Sequence, residues 1–185
     1  NSAILFEISK ALLMMVLVLL SFGTITTFAD EIAPPVSAPT EVVSLIGSGN
    51  SAEPYQISTC EDLQKVNDHL DASYILTGNV YCGDSASMNN GAGFVALGQF
   101  TGNYFDGRNY EIQDLNFNVS ESNAVGLFQS ISNQSMLRNL KLLRSHITNE
   151  YPENRDSNVT GGIAGLNEGL IENVTTDVYI NAPGM

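Results

Sequence analysis

Three six-residue segments of this chain share one pattern. They are Ile112–Phe117 (IQDLNF), Leu137–Leu142 (LRNLKL) and Ile171–Thr176 (IENVTT). Each reads apolar, polar, Asx, apolar, polar, then apolar or threonine, and their starts lie 25 and 34 residues apart. Gly126-Leu127-Phe128 precedes the second segment and Gly162-Ile163-Ala164 the third, so a unit of two short strands around a turn repeats. A unit of about 20–35 residues with short strands cannot seal its own apolar face, whereas stacking such units edge to edge buries a continuous core. The pattern therefore predicts an all-β solenoid. Ordinary antiparallel hairpins with chance similarity are the alternative. In the solenoid, Asp114, Asn139 and Asn173 align at one corner, where Asx side chains bond turn backbone and tolerate left-handed geometry. The polar segment Thr148–Asn158, with Pro152 inside it, takes up the unequal spacing.

The start of the chain reads as an address. Ala11–Phe22 is uncharged, Lys10 precedes it, and Thr27-Phe28-Ala29 closes it with small residues. That is the layout of a secretory signal peptide over residues 1–29, cleaved after Ala29. The competing reading is a retained anchor, since Ala11–Ala29 approaches the ~20 residues of a membrane span. The first residue is Asn1 rather than Met, so the expectation is that the true start precedes it. Residues 30–52 hold Pro34, Pro35 and Pro39 among Ser, Ala and Gly, and read as a flexible linker, with Val42–Ile46 a candidate edge strand. The folded domain is placed at 53–185. Val178-Tyr179-Ile180 is still strand-like five residues before Met185, so the expectation is a domain truncated at its C-terminus.

The whole chain has 185 residues, 43% of them hydrophobic, with 7 Lys+Arg against 20 Asp+Glu. That apolar share excludes wholesale disorder. A net charge of -13 without a basic patch argues against nucleic acid as a partner, because phosphates must be neutralised by cations. Export also sets how Cys60 and Cys82 read. An even pair in an oxidising compartment points to a disulfide rather than two buried thiols.

One helix is signalled. Ser58 followed by Glu61 forms a capping-box pattern, and Leu63, Val66 and Leu70 recur at helical spacing, which predicts a helix over Cys60–Leu70. A strand over Tyr74–Thr77 follows, ended by Gly78-Asn79. Beyond Gly83 no helical period is expected.

The segment Gly161–Asn173 (GGIAGLNEGLIEN) resembles the GLUG motif, G-G-L-V-G-x-N-x-G-x-I-x-N, with Ile for Leu and Ala for Val. Val125–Phe128 with Leu137–Leu140 is similar to a degenerate earlier copy, with Gln129 where Gly is usual and a longer turn over Ser130–Met136. Phe100–Ile112 resembles the F-x-G-x-F-D-G-x-G-x-x-I segment that precedes such repeats, with one extra residue before Phe105 and Asn109 where Gly is common. Pro54–Thr59 and Tyr74–Leu76 look like the usual start of these domains, with Tyr81 replacing an Asp before the Cys. The resemblance spans about residues 53–180. It implies a right-handed parallel β-helix with one short N-terminal capping helix, on secreted or cell-surface bacterial or archaeal proteins, often adhesin-like. Some copies sit beside the catalytic domain of IgA-specific metallopeptidases. The structural positions are Cys60, Cys82, Gly126, Asn139, Gly161, Gly162, Gly165, Asn167, Gly169 and Asn173. Gly161 and Gly162 read as allowing tight packing or a positive φ, and Gly165 and Gly169 as bracketing a turn around Asn167.

Catalytic patterns are lacking. Neither His69 nor His146 begins H-E-x-x-H, so both read as surface residues. There is no G-x-S-x-G elbow, and no Lys follows the glycines as a phosphate loop requires. The enzymatic alternative is a polysaccharide-active β-helix using Asp106, Arg108, Glu111 and Asp114. The plainer reading is a tight turn at Asp106-Gly107 with the other side chains solvated. No cofactor is expected; calcium lacks both an EF-hand loop and a nonapeptide array. The N-x-[ST] sequons at Asn118, Asn133, Asn158 and Asn173 read as products of an Asn/Ser/Thr-rich chain, with glycan attachment as the alternative. The expected function is a non-catalytic surface module for adhesin-like binding or spacing. Its expected partners are a host, matrix or carbohydrate ligand or further domains of the same chain, with membrane contact only through the signal or an anchor. The leader of a metallopeptidase is the other alternative.

Overall fold

A computed structural model describes residues 44–119, 124–149 and 159–181. The signal segment, residues 30–43 of the linker and most of the Thr148–Asn158 loop lie outside the described residues. No described helix is long and apolar enough to cross a membrane.

The structure is mostly strand, and its ladders are parallel. In chain order the strands are β1 Tyr55–Ile57, β2 Tyr74–Leu76, β3 Val80–Tyr81, β4 Leu97–Phe100, β5 Tyr104–Asp106, β6 Glu111–Gln113, β7 Asn116–Val119, β8 Ala124–Val125, β9 Phe128–Ile131, β10 Met136–Asn149, β11 Val159–Thr160, β12 Ala164–Asn167 and β13 Leu170–Asn181. Each pass of the chain returns to lie beside the previous one. One ladder runs β1, β2, β5, β10, β13; β3 joins β6, and both β6 and β7 join β10 further along its length. A second ladder runs β4, β9, β12, and β8 pairs with β11. Parallel neighbours need a long return between them: between β1 and β2 it is helical, over Cys60–Asp68, and in the later passes it is made mainly by further short strands.

The register corrects one alignment. Leu137 does pair with Ile171, and Leu140 with Val174. However, Ile112 pairs with Leu142, and the partner of Leu137 on the preceding pass is Phe105. The repeat is therefore 32 and 34 residues long rather than 25 and 34. The similar hexad at Ile112–Phe117 is the next stretch of the same wall, because consecutive stretches both alternate inward and outward side chains around a left-handed corner. Asp114 consequently aligns with Arg144, not with Asn139.

The interior is a column of aromatic and aliphatic side chains, one level per pass. Tyr74, Phe100, Phe105 and Phe128 are fully buried, with ring centroids 5.4 Å apart for Phe100–Phe128 and 5.6 Å for Phe105–Phe128. Leu97, Leu115, Leu127, Leu137, Leu140 and Leu142 continue the column. Each such side chain contributes about 1.5–3 kcal/mol on leaving water. Where the backbone bends, buried serines satisfy it. Ser135 Oγ donates to the Phe100 carbonyl, and Ser85 Oγ accepts from the Asn116 amide at 3.0 Å.

The first helix is shorter than predicted. α1 spans Cys60–Gln64 and gives way to a 3-10 turn over Lys65–Asp68. Its cap is shifted by one residue: Thr59 Oγ1 accepts the Asp62 amide at 3.1 Å, and the Asp62 carboxylate accepts the Thr59 amide at 3.2 Å. Thr59 is the N-cap, and Ser58 reinforces it through Asp62. Leu63 and Val66 still reach the core. Short helical turns also occur after Gly83, at Ser85–Ser87 and at Met88–Gly91, the latter broken by left-handed Asn89 and Asn90. The disulfide forms between Cys60 and Cys82, both buried, and ties the start of α1 to the residue after β3. Residues 44–52 belong to the fold rather than to a free linker. Ile46 makes an antiparallel bridge to Gln56, and the Gly49 carbonyl accepts the Ser73 amide at 2.7 Å.

Candidate functional site

The parallel register places like side chains in rows up the outer wall, and β10 carries the richest of them. Arg138, Lys141 and Arg144 sit three residues apart on this strand and point outward. Arg138 Nε lies 2.9 Å from Asp106 Oδ2, Lys141 Nζ 3.2 Å from Glu111 Oε1, and Arg144 Nη2 2.9 Å from Asp114 Oδ2. Arg144 Nε also donates to Asp114 Oδ1, making a two-bond fork, and its Nη2 reaches Gln113. The Arg138 guanidinium stands 5.4 Å from the centre of the Tyr104 ring. Such solvent-screened pairs add little stability individually and act chiefly to hold register.

These pairs decide what the Asp106–Asp114 cluster can do. Burial pushes the Asp106 carboxyl up, but the Arg108 amide, Asn139 and Arg138 together hold it below its ordinary value. Glu111 is lowered by Gln113 and then Lys141, and Asp114 by Arg144. A glycosidase acid needs a carboxyl kept protonated near neutrality by burial or a like charge. Here all three carboxylates are stabilised as anions by donors. Arg108 is a left-handed turn residue whose amide bonds Asp106 at 2.8 Å, so the tight turn at Asp106-Gly107 is present.

Beside the ion row runs a row of asparagines. Asn173 Nδ2 donates to Asn139 Oδ1 at 2.8 Å and to Asn109 Oδ1 at 3.2 Å, and Asn139 Nδ2 donates to Asp106 Oδ1 at 3.1 Å. Asn109, Asn139 and Asn173 all have φ between 50° and 65°. Asn109 fills the place in this row that the sequence alignment assigned to Asp114. The signal for it was Asn109 itself, standing where the motif commonly has Gly. Asp114 is left-handed as well, opposite the left-handed Arg144.

The motif glycines divide. A Cβ on Gly165 would meet the Val125 nitrogen at 2.5 Å, and one on Gly126 would meet the Ala164 backbone at 2.8 Å, so two passes approach through these positions. Gly169 is held under the Ser132 and Ser135 carbonyls, and Gly161 against the Ala164 carbonyl. A Cβ on Gly162 would meet only side chains at ordinary contact distance, Val178 at 3.5 Å and Thr176 at 3.9 Å, so close packing does not demand glycine there. None of these five has a positive φ. Asn167 Oδ1 accepts the Gly169 amide at 3.1 Å and closes the turn between β12 and β13.

A shallow cleft of about 290 Å³ beside β7 is lined by Ala86, residues 91–93, Asn116, Phe117 and Asn118, with no ionisable side chain. Among the described residues no cluster of His, Cys, Asp and Glu has the makings of a metal site. His69 is exposed with its ring 5.5 Å from Tyr55, and exposed His146 lies 5.6 Å from Tyr179. Of the sequons, Asn118 and Asn133 are exposed, Asn173 is engaged in the asparagine row, and Asn158 lies outside the described residues.

No protein-family model matches the chain, and no solved structure matches it. Over 166 residues it is 33% identical to halomucin of Haloquadratum walsbyi, an alignment that takes in 83% of this chain and 2% of that protein. Over 137 residues it is 28% identical to a protein of Evansella cellulosilytica described as a Gly-rich membrane protein, covering 71% of this chain and 15% of the relative. The chain thus spans a small fraction of the length of either relative and is similar to one segment of each.

Proposed function

We propose that this chain is a non-catalytic, secreted or cell-surface repeat module of GLUG type. In this reading it folds as a right-handed parallel β-helix and serves in adhesin-like binding or as a spacer. The observation that carries the reading is the row of donor-paired carboxylates on the outer wall, whose residues are spent on holding adjacent passes in register. Support for the surface location comes from the likeness to halomucin and to a membrane protein, together with the signal-like residues 1–29. The parallel ladders and the close approach at Gly126 and Gly165 support the β-helix. The test is expression of the full chain in a secreting prokaryotic host, followed by N-terminal sequencing and a polysaccharide panel scored for binding and for cleavage. The expected product begins at Asp30, lies outside the membrane and cleaves nothing. Retention in the cytoplasm, or turnover of any glycan that Asp106→Asn abolishes, defeats the reading.

A further inference from the structure

Among the described residues strand β7 has a ladder partner along one edge only, and that partner is β10. Its other edge faces the preceding pass, where residues 85–93 run as short helical turns instead of a strand. The cleft of about 290 Å³ is the gap between the two. Both walls are described stretches of chain, so the gap belongs to the coil itself and not to its ends. Successive residues of a strand turn their backbone groups to opposite edges. The His146 amide donates to the Leu115 carbonyl, so Leu115 and Phe117 face β10, and Asn116 and Asn118 face the other way. At Asn116 a single hydroxyl closes that edge. The Asn116 amide donates to Ser85 Oγ at 3.0 Å, and the same hydroxyl donates to the Asn116 carbonyl at 3.1 Å. Two residues on, exposed Asn118 turns the same N–H and C=O pair to the cleft, and among the described residues neither group has a partner.

The lining says what fits there. Ser85 shows that one hydroxyl, donor and acceptor at once, satisfies a residue on this edge, and a hydroxyl-bearing ligand satisfies the next in the same way. The Asn118 carboxamide adds a donor and an acceptor beside it, whereas the Asn116 amide nitrogen is already held by the Asp114 carbonyl at 2.9 Å. The facing wall, Gly91-Ala92-Gly93, carries nothing larger than a methyl group, so a ring can lie against it. No lining side chain is ionisable, and the chain's net charge of -13 repels anions. The volume lies at the lower end of small-molecule sites, about 300–1,000 Å³, which limits the occupant to a single ring. An added peptide strand is a poor occupant, because Ser85 has taken the Asn116 pair and leaves one residue of edge.

We propose that the cleft between β7 and the Ser85–Gly93 turns binds one neutral sugar ring, a ligand hydroxyl doing at Asn118 what the Ser85 hydroxyl does at Asn116. The inference deepens the function proposed above and rests on its binding half, to which it gives a place and a ligand class. The two fail differently. Cleavage of a glycan or retention in the cytoplasm defeats that function without emptying the cleft, and an empty cleft leaves the spacer role standing.

The probes are methyl glucoside, methyl mannoside and methyl galactoside, with methyl glucuronide as the anionic counterpart of the same ring. Each is titrated into the full chain while backbone amide signals are followed by NMR. At least one neutral hexoside is expected to shift the Asn118 and Gly91–Gly93 amides saturably, in the millimolar range, and the glucuronide to bind more weakly. Ala92→Leu and Ala86→Leu, both at exposed positions, fill the cleft and are each expected to weaken binding about tenfold or more with an unchanged melting temperature. Asn118→Ala, which keeps the backbone pair but loses the carboxamide, is expected to weaken it less than either. No saturable shift with any neutral hexoside overturns the proposal. So does glucuronide binding as tight as the glucoside, shifts confined to residues away from the cleft, or binding that survives both leucine variants.

Discussion

Replacing Asn139 by alanine removes a side chain that ties three successive passes together. Its amide nitrogen donates to Asp106 on the pass before, and its oxygen accepts from Asn173 on the pass after. The first bond is part-buried and has a charged acceptor, and contributes about 1 kcal/mol; the second is exposed and contributes about half that. Asn139 also has a φ of 53°, where alanine incurs about 1 kcal/mol that asparagine largely avoids. The expected loss is about 2–3 kcal/mol, read as a lower urea midpoint at unchanged slope. Asn139→Gly separates the two causes. It loses both hydrogen bonds but tolerates the left-handed backbone, so it should fall about 1 kcal/mol short of the alanine variant. If Asn139→Ala costs under about 0.5 kcal/mol, or if the glycine and alanine variants are equally unstable, the corner geometry argued here is wrong.

Three further outcomes are expected. Gly165→Ala should destabilise the fold by about 2 kcal/mol or more, because its Cβ meets backbone atoms of Ala124 and Val125 that cannot swing away, while Gly162→Ala in the same motif should change the urea midpoint little. Reducing the Cys60–Cys82 bond, or replacing both cysteines by alanine, should cost about 3 kcal/mol in the chain-entropy account, and an unchanged thermal midpoint would refute that estimate. The Asp62 and Asp106 carboxyls are lowered in the folded state, so their contribution is complete above the ordinary carboxyl value and is lost as pH falls through the folded value. Urea midpoints taken from pH 6 down to about 3 should therefore decline, and Asp106→Asn should flatten part of that decline.

Local chemistry was legible where one short stretch of chain suffices to create it. The GGIAGLNEG segment announces a turn because Asn167 bonds the amide two residues on, and Cys60 and Cys82, as an even pair, suggest the bond that the structure forms. The helix start was visible, but its frame was not. Ser58–Glu61 and Thr59–Asp62 both satisfy the capping pattern, and only burial of Cys60 and Leu63 on one side selects the second. The helix stops before Leu70 because Val66 and Leu70 must meet β4 and its neighbours, and a tighter turn delivers them there.

What the sequence determined by itself is periodic: apolar side chains every second residue, interrupted by Asx corners, with repetition at a span that demands stacking. What only the tertiary structure decided is which repeat lies on which. Consecutive stretches of one wall look alike in sequence because each obeys the same inward–outward alternation, so Ile112–Phe117 resembles Leu137–Leu142 although its register partner is Leu142–Ile147. The choice between them rests on long-range pairing of Phe105 with Leu137, of Asp106 with Arg138 and of Asn109 with Asn139. Those energies exist only once two passes lie side by side.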